Sequence, residues 1–146
     1  MVRALRKTDL EQVMELWLDA NTRAHDFIPA RYWADRREMV GELLPQAEVL
    51  VWEEDGVPQG FCGLNGDHLE GLFVRYGAQS RGIGKALLDA AKGRRDRLTL
   101  DVYQKNLGAA AFYRREGFGL QSEGVDENTG EAELHLVWEC RPGVEQ

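Results

Sequence analysis

A strand, a glycine-containing turn and a helix follow one another between Leu72 and Leu87, and this segment restricts the possible folds and ligands most strongly. The turn ends in Gly82 and Gly84, where the helix should begin. A helix N-terminus presents unpaired backbone N–H groups and a partial positive charge, and both favour phosphate groups. Because neither glycine has a Cβ atom, a pyrophosphate can approach these donors closely. The segment therefore predicts a diphosphate site, with Arg81 and Lys85 adding positive charge.

The distribution of charge agrees with one anionic ligand. The chain carries a net charge of −7, which argues against a nucleic-acid partner, since such a partner requires clustered Lys and Arg. Between Arg75 and Arg97, however, seven basic residues stand against two acids. An acidic protein with one basic segment indicates a single anionic ligand held there. A solvent-exposed helix rich in arginine is the alternative interpretation.

The length of 146 residues predicts a single domain over residues 1–146 with one buried core. No apolar run approaches the roughly 18 residues of a membrane span. The N-terminal residues, Met1 to Asp9, lack the apolar stretch of a secretory signal. The two cysteines, Cys62 and Cys140, lie far apart and give no metal-site spacing. These features favour a cytoplasmic protein without a metal or a membrane partner.

Hydrophobic periodicity predicts elements in the order β α α β β β α β α β β. The first helix should run from Thr8 to about Ala20, with Thr8 and Glu11 as a capping box. A loop from Asn21 to Ile28 should follow, and Pro29 should open the second helix. The buried face of that helix should comprise Tyr32, Trp33, Met39, Val40, Leu43 and Leu44.

The remaining elements complete a sheet covered by helices. The strands should lie at Val2–Leu5, Val49–Trp52, Gln59–Leu64, His68–Val74, Leu98–Tyr103, Phe118–Gln121 and Ala132–Trp138, and the later helices at Gly82–Lys92 and Ala109–Glu116. Asp55-Gly56 and Asn65-Gly66 are hairpin turn signals, so the three strands around them should form an antiparallel meander. This order predicts an α/β fold with a mixed, predominantly antiparallel central sheet flanked by helices. We expect the last residues, Arg141 to Gln146, to be frayed.

Three phosphate-binding motifs compete for the turn. A Walker A loop needs Gly-x4-Gly-Lys-Ser/Thr, but Gln79 replaces its first Gly and Ala86 its hydroxyl residue. A dinucleotide fingerprint needs a third glycine where Leu87 stands, although Asp101 lies near the distance of a ribose-binding acid. The third pattern, Gln/Arg-x-x-Gly-x-Gly/Ala, is matched from Gln79 to Gly84.

That third match resembles the coenzyme A signature of the GNAT superfamily of N-acetyltransferases. Two further family motifs follow in order: a strand that ends in Asn106, and a helix that carries Phe112-Tyr113 and ends in Gly117-Phe118. The order of elements matches the family over essentially the whole chain. Within the family, the chain resembles small stand-alone bacterial members in the stretches His25–Ile28, Trp52–Gly56 and Tyr103–Asn106.

The resemblance implies the GNAT (acyl-CoA N-acyltransferase) fold and transfer of an acetyl group from acetyl-CoA to a primary amine. Transfer should be direct, through a tetrahedral intermediate, and without a metal. The expected acceptor is a small-molecule amine or the lysine or N-terminus of a protein. We expect a monomer or a homodimer. A non-catalytic acyl-CoA-binding or sensing module is the alternative, and a nucleotide-binding oxidoreductase domain is disfavoured by Leu87 and the short chain.

Catalysis requires an acid for the thiolate and a base for the amine. Tyr113 matches the position of the family's acid, and a phenol with a pKa near ~10 is protonated at neutral pH. His68, at the start of the strand before the turn, is one candidate base, with Glu70 as its expected partner. Asp101 is the competing base, and a water relay without a single base is the third option.

The remaining site predictions concern acetyl-CoA and the amine. Backbone N–H groups near Phe73 and Val74 should stabilise the oxyanion, and Asn106 should bind the pantetheine arm or fix its loop. The complete predicted set of cofactor-binding residues is Phe73, Val74, Gln79, Arg81, Gly82, Ile83, Gly84, Lys85 and Asn106.

A stretch near the C-terminus contains acids but no Lys or Arg, namely Glu123, Asp126, Glu127, Glu131, Glu133 and Glu139. We hypothesise that this surface favours a cationic amine; a solvated hairpin is the alternative. A second group of residues should shape the amine pocket, namely His25, Asp26, Phe27, Tyr32 and Trp33. Of these, Trp33 has the helical spacing of a core residue.

Overall fold

Seven strands and four α-helices make up the computed structural model, which describes residues 1–140. The strands are β1 (Val2–Ala4), β2 (Glu48–Glu54), β3 (Val57–Asn65), β4 (His68–Val74), β5 (Arg97–Tyr103), β6 (Gly119–Val125) and β7 (Ala132–Glu139). The helices are α1 (Leu10–Ala24), α2 (Ala30–Leu43), α3 (Ile83–Lys92) and α4 (Leu107–Arg115). The predicted element order is confirmed. The fraying expected for Arg141 to Gln146 concerns residues outside the described range.

All strands form one sheet in the order β1-β2-β3-β4-β5-β7-β6. Every neighbouring pair is antiparallel except β4 and β5, which are parallel. The mixed, predominantly antiparallel sheet is therefore confirmed. The β2–β3 hairpin turns at Asp55 and Gly56, whose φ angles of 53° and 82° match the left-handed conformations that such two-residue turns require.

Apolar side chains cover both faces of the sheet. On one face, α3 packs against β2, β3 and β4, and the buried group comprises Leu50, Cys62, Leu64, Leu69, Ile83, Leu87, Leu88 and Ala91. On the other face, α1 and α2 pack against β2 and β3 through Val13, Trp17, Trp33, Val49, Val51 and Phe61. Burying each large side chain contributes about 1.5–3 kcal/mol, so this packing holds the helices on the sheet.

The N-terminus of α1 differs from the prediction. Residues Lys7–Asp9 form a short 3-10 turn, and α1 begins at Leu10. The carboxylate of Asp9 accepts a hydrogen bond from the backbone N–H of Arg6 at 2.7 Å and two from the Arg3 guanidinium at 2.7 and 2.9 Å. The predicted capping box of Thr8 and Glu11 is therefore wrong, because the buried Asp9 and Arg3 organise this turn.

The C-terminus of α1 also differs, because the helix continues through the predicted loop to Ala24. Asn21 donates from its side chain to the carbonyl of Trp17 at 3.0 Å, and Thr22 donates to that of Leu18 at 2.7 Å. Bonds to the carbonyl four residues earlier satisfy these polar side chains within the helix.

The predicted buried face of α2 is correct only in part. Trp33 is buried, and so is Leu44 in the short turn after the helix, whereas Met39 and Leu43 are 48% and 54% exposed. No helix within residues 1–140 is long and apolar enough to cross a membrane.

Candidate active site

The parallel strands β4 and β5 separate along most of their length. Their only register pair in the described chain joins His68 to Thr99, at the N-terminal end of each strand. Within β4, Leu69 pairs with Leu64 and Gly71 with Gly63, so Glu70 is an extra residue that forms a β-bulge. The two strands therefore splay apart toward Phe73 and Val74, and they open a cleft in the sheet.

The cleft has a volume of about 770 Å³. It lies between the end of α1, the end of β4, the turn before α3, and α4. The predicted site residues that line it are Phe73, Val74, Gln79, Gly82, Gly84, Lys85, Asn106 and Tyr113. The structure therefore brings together most of the residues predicted to bind the cofactor.

Backbone conformation at the turn depends on glycine. Gly82 precedes the first residue of α3 with a φ of 83°, which residues other than glycine rarely adopt. A Cβ atom added to Gly82 would meet no protein atom within 4 Å, so it would project into the cleft. Gly82 thus keeps the helix start accessible to a ligand. A Cβ atom added to Gly84 would lie 3.5–3.7 Å from the side chains of Leu72, Val74 and Phe112, which is an ordinary contact distance, so the packing of α3 does not itself require glycine there.

Two predicted cofactor residues lie away from the cleft. Arg81 donates to the carboxylate of Glu54, with one N···O distance of 2.6 Å, and does not line the cleft. The side chain of Ile83 is 2% exposed and belongs to the core, so only its backbone is at the helix start. The charge of Arg81 is therefore paired within the protein, and binding of the cofactor through the backbone of Ile83 stays a prediction.

The basic segment does not form one anionic-ligand site. Of its seven basic residues, Lys85 is the one that lines the cleft, and it contacts Asp89 and Glu116 at 3.2 and 3.3 Å. The others bind protein groups: Arg75 to Pro58, Arg81 to Glu54, Lys92 to the Glu116 carbonyl, Arg94 and Arg95 to Glu48, and Arg97 to Glu139. Most of this charge stabilises contacts between elements, so the interpretation as one anion site is wrong for these residues.

Tyr113 lies on α4 and is 7% exposed, with part of its side chain against the cleft. Its ring packs edge-on against Phe112 and Phe118, at centroid distances of 5.3 and 5.5 Å. Burial raises the pKa of the Tyr113 hydroxyl well above its usual value. The phenol therefore stays protonated at neutral pH and can donate a proton or hydrogen bond into the cleft.

Asn106 and His25 meet across the cleft. Asn106 caps α4, because its Oδ1 accepts from the backbone N–H of Ala109 at 3.3 Å. Its Nδ2 lies 3.3 Å from Nε2 of His25, the residue that ends α1. The imidazole stacks on Trp33 at a centroid distance of 5.2 Å. The expected role of His25 in shaping the pocket agrees with this position, and Trp33 is confirmed as core.

The candidate bases occur together, but outside the cleft lining. His68 contacts Asp101 (Nε2 to Oδ2) at 3.4 Å and Thr99 (Nδ1 to Oγ1) at 2.8 Å. Asp101 also bonds Nδ1 of His135 through its Oδ1 at 2.5 Å. Glu70, the expected partner of His68, instead accepts from the side chain of Asn65, so that partnership is wrong. Sequence reasoning missed His135, which reaches Asp101 only through the β5–β7 register.

The fold and the cleft agree with one known protein family. The acetyltransferase (GNAT) family matches residues 10–118, well over half of the chain.

The chain belongs to the GNAT acetyltransferase family.

This GNAT chain has a bacterial relative of similar size. It is 42% identical over 120 residues to the peptidyl-lysine N-acetyltransferase YiaC of Escherichia coli strain K12, covering 81% of this chain and 82% of YiaC. The resemblance to small bacterial members is confirmed. The chain is an N-acetyltransferase that uses acetyl-CoA as the acetyl donor.

Solved GNAT structures share the fold. The solution structure of apo-form YjaB from Escherichia coli has a TM-score of 0.84 and 28% identity, covering 97% of this chain and 98% of that one. PaiA N-acetyltransferase of Thermoplasma acidophilum, solved in complex with coenzyme A, has a TM-score of 0.77 and 19% identity, covering 95% and 98%. At that identity, the second likeness concerns the fold alone.

Several residues that line the GNAT cleft were not predicted as site residues. Asn21, Leu72, Ser80, Gly108, Ala109, Phe112, Arg115 and Glu116 also line it. Their signal was weak because each is a common residue in a helix or strand, and only the splayed strands and α4 bring them together.

A metal ion needs converging ligand atoms. Within residues 1–140, those of Asp101, Glu133 and His135 lie within 4.8 Å of one another. The direct bond between Asp101 and His135 already occupies one ligand atom of each. This cluster is therefore engaged in contacts among its own side chains.

The acidic stretch near the C-terminus is partly neutralised. Glu131 contacts Lys105 at 3.1 Å, and Glu139 contacts Arg97 at 3.7 Å. Asp126 accepts from the Tyr103 hydroxyl at 2.5 Å. Burial, followed by repulsion from Asp101 and Asp126, raises the pKa of Glu133.

Proposed function

We propose that this GNAT acetyltransferase acts on lysine side chains of peptides or proteins. The relative YiaC carries the name peptidyl-lysine N-acetyltransferase and is 42% identical to this chain. The splayed strands β4 and β5 carry the proposal, because a lysine side chain can reach the thioester only where the sheet opens. The carboxylates of Asp101 and Glu133 lie close together on β5 and β7, and their negative charge supports a cationic amine over a neutral one.

Acetyl-CoA would lie in the cleft with its pyrophosphate at the start of α3. Gly82 leaves this helix start uncovered, and Lys85 adds a cation beside it. The thioester would then extend between β4 and α4, toward Phe73 and Tyr113. Unpaired N–H groups of the β4 backbone at the splay would donate to the developing oxyanion, each worth roughly 3 kcal/mol in the transition state.

The chemistry would be a direct transfer. The amine nitrogen attacks the carbonyl carbon of the thioester, the C–S bond breaks, and the coenzyme A thiolate takes a proton or hydrogen bond from Tyr113. An acyl-cysteine intermediate is disfavoured, because burial raises the pKa of Cys62 to about 12 and its thiolate is scarce at neutral pH. This supports the direct route.

The location and assembly remain proposals. Cys62 and Cys140 are both free thiols, which supports a reducing compartment, and we infer the cytoplasm. The expected monomer or homodimer, without a nucleic-acid or membrane partner, stays a prediction. Size-exclusion chromatography with light scattering decides between one and two copies.

Thiol release from acetyl-CoA tests the function. The acceptor is an N-terminally blocked peptide with one lysine, and the matched control is the same peptide with that lysine already acetylated. We expect thiol release and a mass gain of one acetyl group with the first peptide only. Release with free polyamines or aminoglycosides, but not with the peptide, would contradict lysine as the acceptor.

A further inference from the structure

We propose that Arg115 binds the ribose 3′-phosphate of acetyl-CoA, and that this contact makes the enzyme prefer acetyl-CoA to the same thioester without that phosphate. Arg115 is the last residue of α4 and lines the cleft, although the sequence did not single it out. This role rests on the proposed placement of acetyl-CoA in the cleft, and it is independent of the amine that accepts the acetyl group.

Within residues 1–140, Arg115 is the one cation of the cleft that has no carboxylate partner. The charged residues that line the cleft are Lys85, Arg115 and Glu116. Lys85 lies 3.3 Å from Glu116 and 3.2 Å from Asp89, so its charge is balanced within the protein. In the same part of the chain, no carboxylate oxygen lies within 4.0 Å of the Arg115 guanidinium. The positive charge that the cleft offers to an anionic ligand is therefore mainly that of Arg115.

The guanidinium of Arg115 lies over an aromatic ring of the cleft wall. Its Cζ atom is 5.9 Å from the ring centroid of Phe112, within the range of a cation–π contact. Phe112 also lines the cleft, and it is close to the start of α3, since a Cβ atom on Gly84 would lie 3.7 Å from its ring. The ring thus holds the cation at the wall of the cleft. A side chain that is already ordered in this way loses less conformational freedom when a ligand binds.

Arg115 lies beside the expected position of the pyrophosphate. The next residue, Glu116, contacts Lys85 in the first turn of α3, so the end of α4 is adjacent to the helix start at Gly82. In acetyl-CoA, the ribose that carries the 3′-phosphate is attached directly to the pyrophosphate, so the two groups must lie near each other. Tyr113 is buried, because residues two apart point about 200° from each other around a helix. Tyr113 can therefore face the thioester while Arg115 faces the nucleotide.

A phosphate monoester is the chemical group that suits this cation. Its second pKa is about 6, so the 3′-phosphate is mainly a dianion at neutral pH. A guanidinium presents parallel N–H donors that match two phosphate oxygens. The pyrophosphate, in contrast, can bind the backbone N–H groups at the start of α3. The two phosphate-bearing parts of the ligand would thus use different protein groups.

Calorimetry with two thioesters tests the proposal. The probes are acetyl-CoA and 3′-dephospho-acetyl-CoA, which differ only in the phosphate concerned. We expect the wild-type protein to bind acetyl-CoA about 10-fold more tightly, as a charge-assisted hydrogen bond at an exposed residue allows. Arg115→Gln should bind acetyl-CoA about 10-fold more weakly than the wild type does. Its affinity for the dephosphorylated thioester should stay within about 2-fold of the wild-type value.

Arg114→Gln is the matched control. Arg114 is the neighbouring residue on α4, is also exposed and does not line the cleft. This substitution removes the same charge from the protein, so it reproduces any change in long-range attraction of the anionic ligand. We expect Arg114→Gln to keep the preference for acetyl-CoA. Loss of the preference in Arg115→Gln alone would therefore identify a direct contact.

Thiol release from acetyl-CoA gives a second readout. The 3′-phosphate takes no part in the reaction, so its contact with Arg115 should be equally strong in the ground state and in the transition state. Removal of such a contact raises KM and leaves kcat unchanged. We therefore expect Arg115→Gln to have a higher KM for acetyl-CoA and a wild-type kcat with the lysine peptide.

Three results would overturn the proposal. Equal affinity of the wild-type protein for both thioesters would show that the 3′-phosphate is not bound. A preference that persists in Arg115→Gln would assign the phosphate to other groups, and an equal loss for both thioesters would place Arg115 at the pyrophosphate. Failure of the proposed placement of acetyl-CoA is distinct, because Gly82→Ala would then bind both thioesters as the wild type does. Failure of lysine as the acceptor would appear only as absent thiol release with the peptide.

Discussion

Asn106 bridges the two sides of the cleft, with Nδ2 lying 3.3 Å from Nε2 of His25. The orientation of its amide follows from the cap, because Oδ1 must face the backbone N–H of Ala109. Nδ2 therefore donates to His25, whose Nε2 must carry a lone pair. Burial lowers the pKa of His25, so a neutral ring at physiological pH agrees with this geometry. One side chain thus caps α4 and fixes the tautomer of a cleft histidine.

Replacing Asn106 separates these two roles. Asn106→Ala removes the cap of α4 and should reduce the free energy of unfolding by about 1 kcal/mol. Asn106→Ser keeps a capping oxygen but is too short to reach His25, so its stability should lie close to wild type. Urea denaturation of both variants measures the difference. Equal losses in the two variants would assign the stability to the contact with His25 instead of to the cap.

Tyr113→Phe tests the proposed acid. The substitution removes only the hydroxyl, and the ring keeps its packing against Phe112 and Phe118. We expect kcat to fall by about 100-fold, within the usual contribution of a general acid, while the dissociation constant for acetyl-CoA stays within about 2-fold. Thiol release and calorimetry give the two values. Since burial raises the pKa of Tyr113, wild-type activity should not decline from its ionisation until the pH exceeds that of a free phenol, about 10.

Tyr103→Phe is the matched control. Tyr103 also loses a hydroxyl in this variant, but that hydroxyl donates to Asp126 and does not line the cleft. The variant should keep most of the wild-type turnover. If the two tyrosine variants lose activity equally, the effect of Tyr113→Phe belongs to folding or to the amine side, and Tyr113 is not the acid.

Local patterns predicted α3 and its turn because the determining contacts are close in sequence. Ile83, Leu87 and Leu88 recur at helical spacing, and all are at most 2% exposed. Gly82 marks the start of the helix in the sequence, and its positive φ explains why glycine stands there. The position of Tyr113 in the cleft followed from the order of motifs along the chain. How the site residues act stays a prediction.

Contacts between distant segments were beyond the reach of such patterns. Arg81 pairs with Glu54, which lies 27 residues earlier, so its charge is not directed at the cleft. His135 meets Asp101 across 34 residues, and only the register of β5 with β7 places them opposite each other. The β-bulge at Glu70 interrupts the alternation of side chains along β4. Residues two apart therefore no longer share a face of the sheet there, and the predicted pairing of His68 with Glu70 fails.

Gly82→Ala should weaken binding of acetyl-CoA through the shape of the helix start. Gly82 lines the cleft, and the added Cβ atom meets no protein atom within 4 Å, so it would take up open space at the helix start. The φ of 83° adds backbone strain of about 1 kcal/mol. Gly66→Ala is the control, because Gly66 has a φ of 60°, equally open surroundings and a position in the β3–β4 turn. Calorimetry should show at least a 10-fold loss of affinity for Gly82→Ala, equivalent to about 1.4 kcal/mol of binding free energy. The affinity of Gly66→Ala should equal that of the wild type. Equal affinities in both variants would move the phosphate site away from α3.

Asp9→Asn should destabilise the protein in a pH-dependent way. Asp9 is 5% exposed, and its hydrogen bonds from Arg3 hold the pKa of its carboxyl below the usual range. A depressed pKa in the folded state means that the stabilisation is present above about pH 4, the unfolded value, and is lost as the pH falls through the folded value. Breaking a buried pair on one side costs about 3–5 kcal/mol when the partner is left unpaired, but Arg3 keeps its contact with Glu53, so urea denaturation at pH 7 should show a smaller loss than that.

Asp19→Asn is the control that shows whether burial of the ion pair causes the loss of stability in Asp9→Asn. Asp19 pairs with Arg23 at 2.9 Å, but both side chains are 52% exposed, so this substitution should cost less than about 1 kcal/mol. As the pH is lowered toward 3, the wild-type protein and Asp9→Asn should converge in stability, because protonation removes the charge that the substitution removes. A gap that stays constant from pH 7 to pH 3 would show that Asp9 stabilises the turn through its shape and neutral hydrogen bonds, and that its charge contributes nothing.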